Sequence, residues 1–352
     1  MSSAWDQLFG HAEQRQLFAR SLQRGRLSHA YVFCGADGIG KYKFARLLAQ
    51  SLFCSNRAEG EIDACGECRA CHGFEAGTWP DFHEVSLPQG KSEIPVALLL
   101  GERDRRGQEG LCHDMSLSPM ASNRRVAIIR DAEYLNEEGA NAFLKTLEEP
   151  PPNTLILIIC DSVDSLLATI RSRSQIVRFF PLTDAEVAAI LLREKLIDNE
   201  QDAADVAAMS EGSLSVACQL LNPDLRRLKE RIQLQLDQLD RMQPLDLSKF
   251  VQEELTRIST GADEQRRNAD WLLRFLSEAL NQRLRRLASG DFTDPLLQRL
   301  GVRSGVDLLS PALDRIITAS QQIERNSPVP LVMESLFDDL ARQFRSGPVS
   351  AR

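Results

Sequence analysis

A glycine-rich loop constrains the fold of this chain more than any other feature. The loop, Gly35-Ala36-Asp37-Gly38-Ile39-Gly40-Lys41-Tyr42, follows a short apolar run at residues 30–34 and precedes an amphipathic stretch at residues 43–52. A strand, a glycine loop and a helix in this order are typical of a phosphate-binding loop, where backbone N–H groups, the helix N-terminus and a lysine face phosphate oxygens. The loop therefore predicts an α/β domain with a nucleotide site formed by Gly35, Gly38, Gly40 and Lys41.

The residue after the lysine departs from this motif. A small hydroxyl residue normally binds Mg²⁺ at this position, but the chain has Tyr42. A phenol carries its oxygen far out on a rigid ring and is a poor ligand for Mg²⁺. The sequence therefore predicts a degenerate phosphate-binding loop that has lost its metal anchor.

A second departure follows the buried apolar run at residues 126–129, which predicts a strand of a parallel sheet. In ATPases with such a loop, an Asp and a Glu at the end of this strand hold Mg²⁺ and polarise the attacking water. Here Arg130 takes the position of the Asp and Asp131 that of the Glu, and a shift by one residue leaves Ala132 as the base. The acidic motif is incomplete in either register.

Four of the eight cysteines are clustered, at Cys54, Cys65, Cys68 and Cys71. The C-x₂-C-x₂-C spacing with a fourth cysteine upstream can supply four thiolates to one tetrahedral ion and leaves no ligand position open. The sequence predicts a structural zinc site, although an iron–sulfur cluster uses similar spacings and incidental loop cysteines are the simplest alternative.

Two further groups of polar residues follow apolar runs. Asp161 or Ser162, after the run at 155–159, could sense a nucleotide or form an ordinary turn. Arg171 and Arg173, among hydroxyl residues before the run at 176–180, suit phosphate binding in this chain or in a neighbour, and capping of a helix at the surface is the simpler alternative.

The pattern of apolar residues divides the chain into three predicted domains. Residues 1–180 form the nucleotide-binding domain, with a lead-in helix from Trp5 to Leu27, the cysteine module at 54–71 and a solvated insertion at 101–113. Residues 181–222 form a small helical domain that begins with a capping box at Thr183 and Glu186. Residues 223–352 show only helical spacing, so the predicted fold class is α/β followed by all-α.

Composition excludes other classes of protein. The 352 residues, 43% hydrophobic and 26% charged, contain no apolar run long enough for a membrane span, and the N-terminus has no secretion signal. We therefore expect a cytoplasmic protein without membrane partners. The net charge of −8 argues against DNA binding by electrostatic attraction over the whole chain.

Several segments together resemble the AAA+ clamp-loader subunits of bacterial DNA polymerase III. They are residues 24–31, the glycine loop, the four-cysteine insertion, residues 141–151 and Ser172-Arg173-Ser174. The resemblance is strong over residues 5–222 and weaker to 352. It implies an AAA+ P-loop domain with a parallel sheet and a zinc-module insertion, a helical lid domain and a C-terminal helical collar domain that mediates oligomerisation.

The resembled family contains ATP-hydrolysing tau/gamma subunits and a second, catalytically inactive kind of subunit. Tyr42, the Arg130-Asp131 pair and Ser215, which stands where the motor subunits have a sensor arginine, favour the inactive kind. The resemblance then implies that Arg173 is an arginine finger acting in trans, even though Ser174 replaces the family's usual cysteine. The implied partners are tau/gamma and delta subunits in a heteropentamer of the polymerase holoenzyme, and through them the sliding clamp and primer-template DNA.

Two alternatives remain at this point. The chain could be an active tau/gamma-type motor, or a zinc-dependent DNA-binding module with a decayed ATPase site. The sequence predicts structural Zn²⁺ and no ATP hydrolysis, and it leaves open whether ATP or ADP still binds.

Overall fold

The computed structural model describes residues 4–58, 60–236, 244–258, 261–291, 293–300, 302–325 and 327–346. The chain divides into two compact units, Met1–Cys218 and Gln219–Arg352. The first unit contains both the predicted nucleotide-binding domain and most of the predicted lid, so the boundary at residue 181 stays a prediction.

The first unit is built on a parallel sheet. Its strands are β1 (Ala30–Cys34), β2 (Phe82–Val85), β3 (Arg125–Ile129), β4 (Thr154–Cys160) and β5 (Gln175–Arg178). They lie in the order β2-β3-β4-β1-β5, and all of the pairs are parallel. The carboxyl ends of the strands therefore meet at one edge, where ligands bind in open α/β sheets.

Helices connect and follow these strands, and those that carry Phe44 and Phe143 pack on opposite faces of the sheet. In chain order the helices up to residue 220 are α1 (Ala12–Gln23), α2 (Lys41–Phe53), α3 (Arg69–Glu75), α4 (Val96–Leu100), α5 (Leu111–Ser116), α6 (Glu137–Glu148), α7 (Ala168–Arg171), α8 (Asp184–Arg193), α9 (Glu200–Ser210) and α10 (Leu214–Leu220). Short 3₁₀ turns lie at Ala4–Gln7, Ala132–Tyr134 and Val163–Ser165.

The continuous apolar runs of the sequence are explained by burial on both faces. Tyr31 and Phe33 of β1 pack against Phe44 on one side, while Val32 packs with Phe143 on the other. Because successive side chains of a strand point to opposite faces, a strand between two helical layers has no exposed position. The sheet thereby holds the glycine loop, which follows β1, in a rigid frame.

The lead-in helix differs from the prediction of one helix from Trp5 to Leu27. A 3₁₀ turn ends at Gln7, and α1 begins only at Ala12. His11 has a left-handed backbone, its ring nitrogen lies 2.7 Å from the carbonyl oxygen of Ile39, and its ring packs on Phe179. Contact with the glycine loop breaks the helix.

The insertion is more structured than predicted. Gly101 and Gly110 lie at the base of a loop in which Arg106 forms an ion pair with Glu138 at 2.9 Å. The helix α5 begins at Leu111, which is buried. Only the segment between the two glycines is therefore a surface loop.

The second unit is helical. Its helices are α11 (Pro223–Leu236), α12 (Pro244–Ile258), α13 (Ala262–Ser289), α14 (Pro295–Leu300), α15 (Val302–Glu324) and α16 (Val329–Ser346). The helix α13 packs on α15, and α12 packs on α16, whose Met333, Leu336, Phe337 and Leu340 are buried. The predicted helix from Leu225 to Met242 ends beyond the described residues. No helix in the described part of the chain is long and apolar enough to cross a membrane.

A buried carboxylate, that of Asp81, joins the start of β2 to the segment that precedes β3. Asp81, fully buried, accepts hydrogen bonds from the backbone N–H groups of Met120, Ala121 and Ser122 at 2.6–2.8 Å and from the Ser122 hydroxyl at 2.7 Å. Burial alone would raise the pKa of Asp81, but these hydrogen bonds outweigh burial and hold it below its usual value.

We expect Asp81→Asn to lower the free energy of unfolding by about 2–4 kcal/mol at neutral pH, because an amide N–H₂ would face N–H donors. The folded pKa is depressed, so the carboxylate stabilises the fold fully above its unfolded pKa of about 3.9 and loses this effect as the pH falls through the folded value. Urea unfolding at pH 7 and below pH 4 should therefore show the difference between variant and wild type shrinking with acid. Asp114→Asn, at a partly exposed position, is the matched control.

Candidate functional site

The glycine loop lies between β1 and α2, as predicted. Gly35 and Gly38 have φ of 151° and 76°, a region that favours glycine. A Cβ at Gly35 would lie 2.5 Å from the Phe179 carbonyl oxygen, and one at Gly38 would lie 2.6 Å from the backbone nitrogen of Ser215. The loop therefore requires glycine both for its backbone and for its close neighbours.

The lysine of the loop is turned inward. Lys41 is only 6% exposed, and its Nζ donates to the carbonyl oxygens of Gly35 and Ala36 and to Asp161 Oδ1 at 2.9 Å. An ammonium group has three N–H donors, so all of them are used within the chain. Asp161, one of the two candidate sensing residues, follows β4 and reaches Lys41 because β4 is the neighbour of β1.

Tyr42 belongs to a cluster that sequence reasoning did not predict. Its hydroxyl donates to Glu84 at 2.9 Å, and the Arg130 guanidinium lies over its ring, with Cζ 4.3 Å from the centroid. Arg130 also pairs with Glu84 at 3.4 Å, and Arg46 lies 3.4 Å from the Tyr42 hydroxyl. Burial raises the pKa of Tyr42, so the phenol stays protonated.

These residues do not fit a magnesium ion. The phenol donates its proton to the carboxylate instead of offering a lone pair, and a guanidinium lies beside it where a metal site would need more oxygen ligands. Glu84 could not be identified from sequence, because its partners Tyr42 and Arg130 come from other elements.

The acidic groups after β3 are also engaged differently from those of an ATPase. Asp131 has a left-handed backbone, with φ of 54°, and its carboxylate accepts a hydrogen bond from the N–H of Leu87 at 3.2 Å. Burial and the neighbouring Asp161 and Asp131 raise the pKa of Glu133, a residue that sequence reasoning passed over. Arg130 and Asp131 thus lie at the end of β3, as predicted, but Asp131 caps a turn.

The segment around Ser215 contacts the glycine loop directly. The Ser213 hydroxyl donates to the carbonyl oxygen of Asp37 at 2.9 Å, and the N–H of Leu214 donates to that of Gly38 at 2.9 Å. Ser215 lines a cavity of about 290 Å³ together with Gly38, Lys41 and Tyr42. The neutral Ser215 brings no charge to this cavity.

Arg173 lies between α7 and β5, away from the glycine loop. Its guanidinium pairs with Glu148 at 2.6 Å and donates to the carbonyl oxygen of Thr169 at 3.0 Å and to the Ser172 hydroxyl at 3.1 Å. Arg173 is not among the described residues that line the glycine-loop cavity. Arg171 pairs instead with Asp164 at 3.2 Å.

The structure brings the four clustered cysteines together. The sulfur atoms of Cys54, Cys65, Cys68 and Cys71 all lie within 4.8 Å of one another. Those of Cys54 and Cys65 are 3.7 Å apart, and four thiolates about 2.3 Å from one tetrahedral zinc ion would be separated by about 3.8 Å. The cluster therefore fits a metal ion with four sulfur ligands.

Backbone N–H groups point at these sulfur atoms. The N–H groups of Cys65, Cys68 and Cys71 lie 3.3–3.4 Å from the sulfur of the preceding cysteine of the cluster. Burial acts to raise the pKa of Cys68, but hydrogen bonds from Ser55 and Cys71 outweigh it and lower this pKa to about 5, whereas burial raises the pKa of Cys54 and of Cys71. A bound metal would therefore have to take up some of these sulfur atoms with release of their protons.

Comparison with known proteins agrees with these observations. A family model described as "DNA polymerase III, delta subunit" matches residues 10–183. DNA polymerase III subunit delta-prime of Haemophilus influenzae is 31% identical, over 76% of this chain and 75% of its own length. The delta-prime subunit of Bacillus subtilis is 36% identical over 51% of this chain and 50% of its own length. DNA polymerase III subunit gamma of Buchnera aphidicola is 31% identical over 58% of this chain and 54% of its own length.

The parallel sheet, the glycine loop and these matches define an AAA+ clamp-loader subunit of DNA polymerase III. Within this class, the relatives named delta-prime distinguish the kind of subunit. The chain belongs to the delta-prime family.

Proposed function

We propose that this chain is a catalytically inactive clamp-loader subunit that supplies Arg173 to the ATP site of a neighbouring tau/gamma subunit. The neighbour's hydrolysis would then release the complex from a sliding clamp loaded on primer-template DNA. Residues 223–352 would act as the helical collar that holds the subunit in a heteropentamer with tau/gamma and delta subunits.

The cluster of Tyr42, Glu84 and Arg130 carries the proposal of inactivity. Phosphoryl transfer depends almost entirely on the positioning of charge, with Mg²⁺ as the main counter-charge at the phosphates. In this chain the residues at that place satisfy one another, and Asp131 is committed to a turn. No step of ATP hydrolysis can be assigned to this arrangement.

The surroundings of Arg173 support a role in trans. Glu148, its partner, is the last residue of α6, where an acidic side chain is unfavourable beside the negative end of the helix dipole. The ion pair with Arg173 offsets this cost and holds the guanidinium at the surface, with the side chain 34% exposed. A neighbour's phosphate could replace the Glu148 carboxylate without a change of fold.

The cysteine cluster holds structural zinc in this proposal. Four sulfur ligands leave no open position for water or substrate, so the ion would fix the segment between α2 and α3 and would take no part in catalysis.

The similarity to a gamma subunit keeps an ATP-hydrolysing motor as the second candidate. We expect the purified chain to hydrolyse no ATP above the buffer rate. We also expect Tyr42→Thr to restore none, because Arg130 would still stand where an acidic residue is required and Asp131 would still accept a hydrogen bond within its own turn. A coupled ATPase assay measures both. Hydrolysis by the wild-type chain that a folded Lys41→Ala variant lacks would establish the motor instead.

A further inference from the structure

We propose that Arg57 and Arg124 form a binding site for a phosphate group at the edge of the sheet where the strands begin, opposite the glycine loop. Two exposed arginines, Arg24 and Arg26, extend this site for the repeated phosphates of a nucleic-acid strand. The site does not depend on the role proposed for Arg173, so the two can be tested separately.

The side chain of Arg124 is the first observation. Arg124 precedes β3, and its charge acts on the phenol of Tyr31 in β1, so the side chain extends toward β1 past the start of β4, the strand between them. Arg124 is partly buried, and within the described part of the chain its guanidinium forms no ion pair and no hydrogen bond. A guanidinium in this position loses hydration without gaining an acidic partner from its own fold.

A second guanidinium lies close to the first. Arg57 follows α2, and its Nη1 donates to the backbone carbonyl oxygen of Glu61 at 2.7 Å. Burial lowers the pKa of Arg124 and the nearby charge of Arg57 lowers it further, although both arginines stay protonated. Two like charges that repel one another in a partly buried place would be stabilised by an anion between them.

An unpaired polar atom lies on the same face of the sheet. His29 comes two residues before Tyr31, and its carbonyl oxygen still accepts from the N–H of Ile156, so its side chain shares the face of Tyr31. Its ring nitrogen Nε2 is buried and has no hydrogen-bond partner among the described residues. Two guanidinium groups and an imidazole N–H offer more donors than the two oxygens of a carboxylate can accept, which favours phosphate.

The arginines at the end of α1 favour a nucleic-acid strand over a free phosphate ion. Arg24 and Arg26 are exposed, and the end of α1 abuts the segment that follows α2, because a Cβ at Gly60 would lie 3.3 Å from the Cα of Gln23. A single phosphate needs only one pair of guanidinium groups, whereas successive phosphates of a strand need further positive charges along their path. The net charge of −8 confines such binding to this edge.

The test measures binding of a short fluorescein-labelled single-stranded DNA to the full chain by fluorescence anisotropy at several salt concentrations. We expect the wild type to bind at low salt with a Kd of about 10⁻⁴–10⁻⁵ M, the range of binding through phosphates alone. Arg124→Gln should weaken binding by about 10-fold, the equivalent of one charge-assisted hydrogen bond. It should also reduce the slope of log K against log salt by about 0.7, the value for one phosphate contact to a single strand.

Two other ligands distinguish the source of the negative charge. Inorganic phosphate is titrated by calorimetry into the wild type and into Arg124→Gln. Binding of inorganic phosphate that requires Arg124, with no such requirement for DNA, would keep the phosphate site and assign it to the free ion. Binding of poly-glutamate that requires Arg124, without binding of DNA or phosphate, would overturn the proposal in favour of an acidic protein segment.

Arg103→Gln is the matched control. Arg103 is exposed in the loop between Gly101 and Gly110, so this variant loses the same charge from another place on the surface. An equal loss of DNA binding in both variants, or equal binding of DNA and phosphate by Arg124→Gln and the wild type, would overturn the proposal.

Urea unfolding without ligand separates binding from a structural role of Arg124. We expect Arg124→Gln to be at least as stable as the wild type, because the substitution removes the repulsion from Arg57. A less stable Arg124→Gln would show that Arg124 supports the fold instead, and would count against the site. None of these results bears on Arg173, whose role is measured on a neighbour's ATP.

Discussion

Replacing Arg173 by alanine should slow hydrolysis at the neighbouring ATP site by about 10³–10⁵-fold, the range found for other arginine fingers. In the proposed role, the guanidinium stabilises charge that develops on the transferring phosphoryl group, and alanine offers no substitute. The measurement is the clamp- and DNA-stimulated ATPase of the complex reconstituted with tau/gamma and delta subunits. Steady-state turnover should fall to what the remaining ATP sites sustain.

Arg171→Ala is the control for this experiment. Arg171 lies two residues away on α7, but it pairs with the exposed Asp164 within its own chain. We expect full ATPase activity from this variant. Native mass spectrometry should show the same five-subunit complex for both variants, so a loss of activity would not reflect a loss of assembly. An unchanged ATPase activity of the complex that contains Arg173→Ala would refute the assignment of Arg173 as an arginine finger.

Removal of the metal from the cysteine cluster should produce the second large effect. We expect one zinc ion per purified chain and none in Cys65→Ser, because three remaining sulfur ligands would not close the site. A site whose ligand is present at about 1,000 times its Kd contributes about 4 kcal/mol to the free energy of unfolding. We therefore expect a loss of about this size, measured by urea unfolding alongside metal analysis.

The chain provides a matched control for the zinc experiment. Cys218 is exposed and lies outside the cluster, so Cys218→Ser should keep both the zinc and the stability. Visible absorption of the purified protein would indicate an iron–sulfur cluster instead. Full stability of Cys65→Ser without metal would show that the cluster has no structural role.

Local features of the fold were predictable from sequence because neighbouring residues determine them. The glycine loop follows a strand and begins a helix, as its motif requires. Asn136 caps α6 by accepting a hydrogen bond from the N–H of Gly139, and Thr183 and Glu186 form the predicted capping box. The cysteine spacing likewise predicted that the four sulfur atoms lie together, since the cysteines lie on one short segment.

Contacts between distant segments could not be predicted in the same way. Glu84 meets Tyr42 and Arg130 only because β2 and β3 are neighbours in the sheet, and spacing along the chain does not reveal this order. The ion pair between Lys41 and Asp161 depends in the same way on the pairing of β1 with β4. Sequence identified both ends of that pair as candidates but not their partnership.

Because the Lys41 side chain is turned inward, a substitution at this residue would measure the stability of the fold and not the binding of phosphate. In an active ATPase, alanine at this lysine removes a contact to phosphate and leaves the resting fold largely intact. Here it would leave the carbonyl oxygens of Gly35 and Ala36 without this donor and Asp161 without its counter-ion. Lys41 thus links the loop after β1 to the residue that follows β4. Its replacement should lower the free energy of unfolding whether or not any enzymatic activity changes.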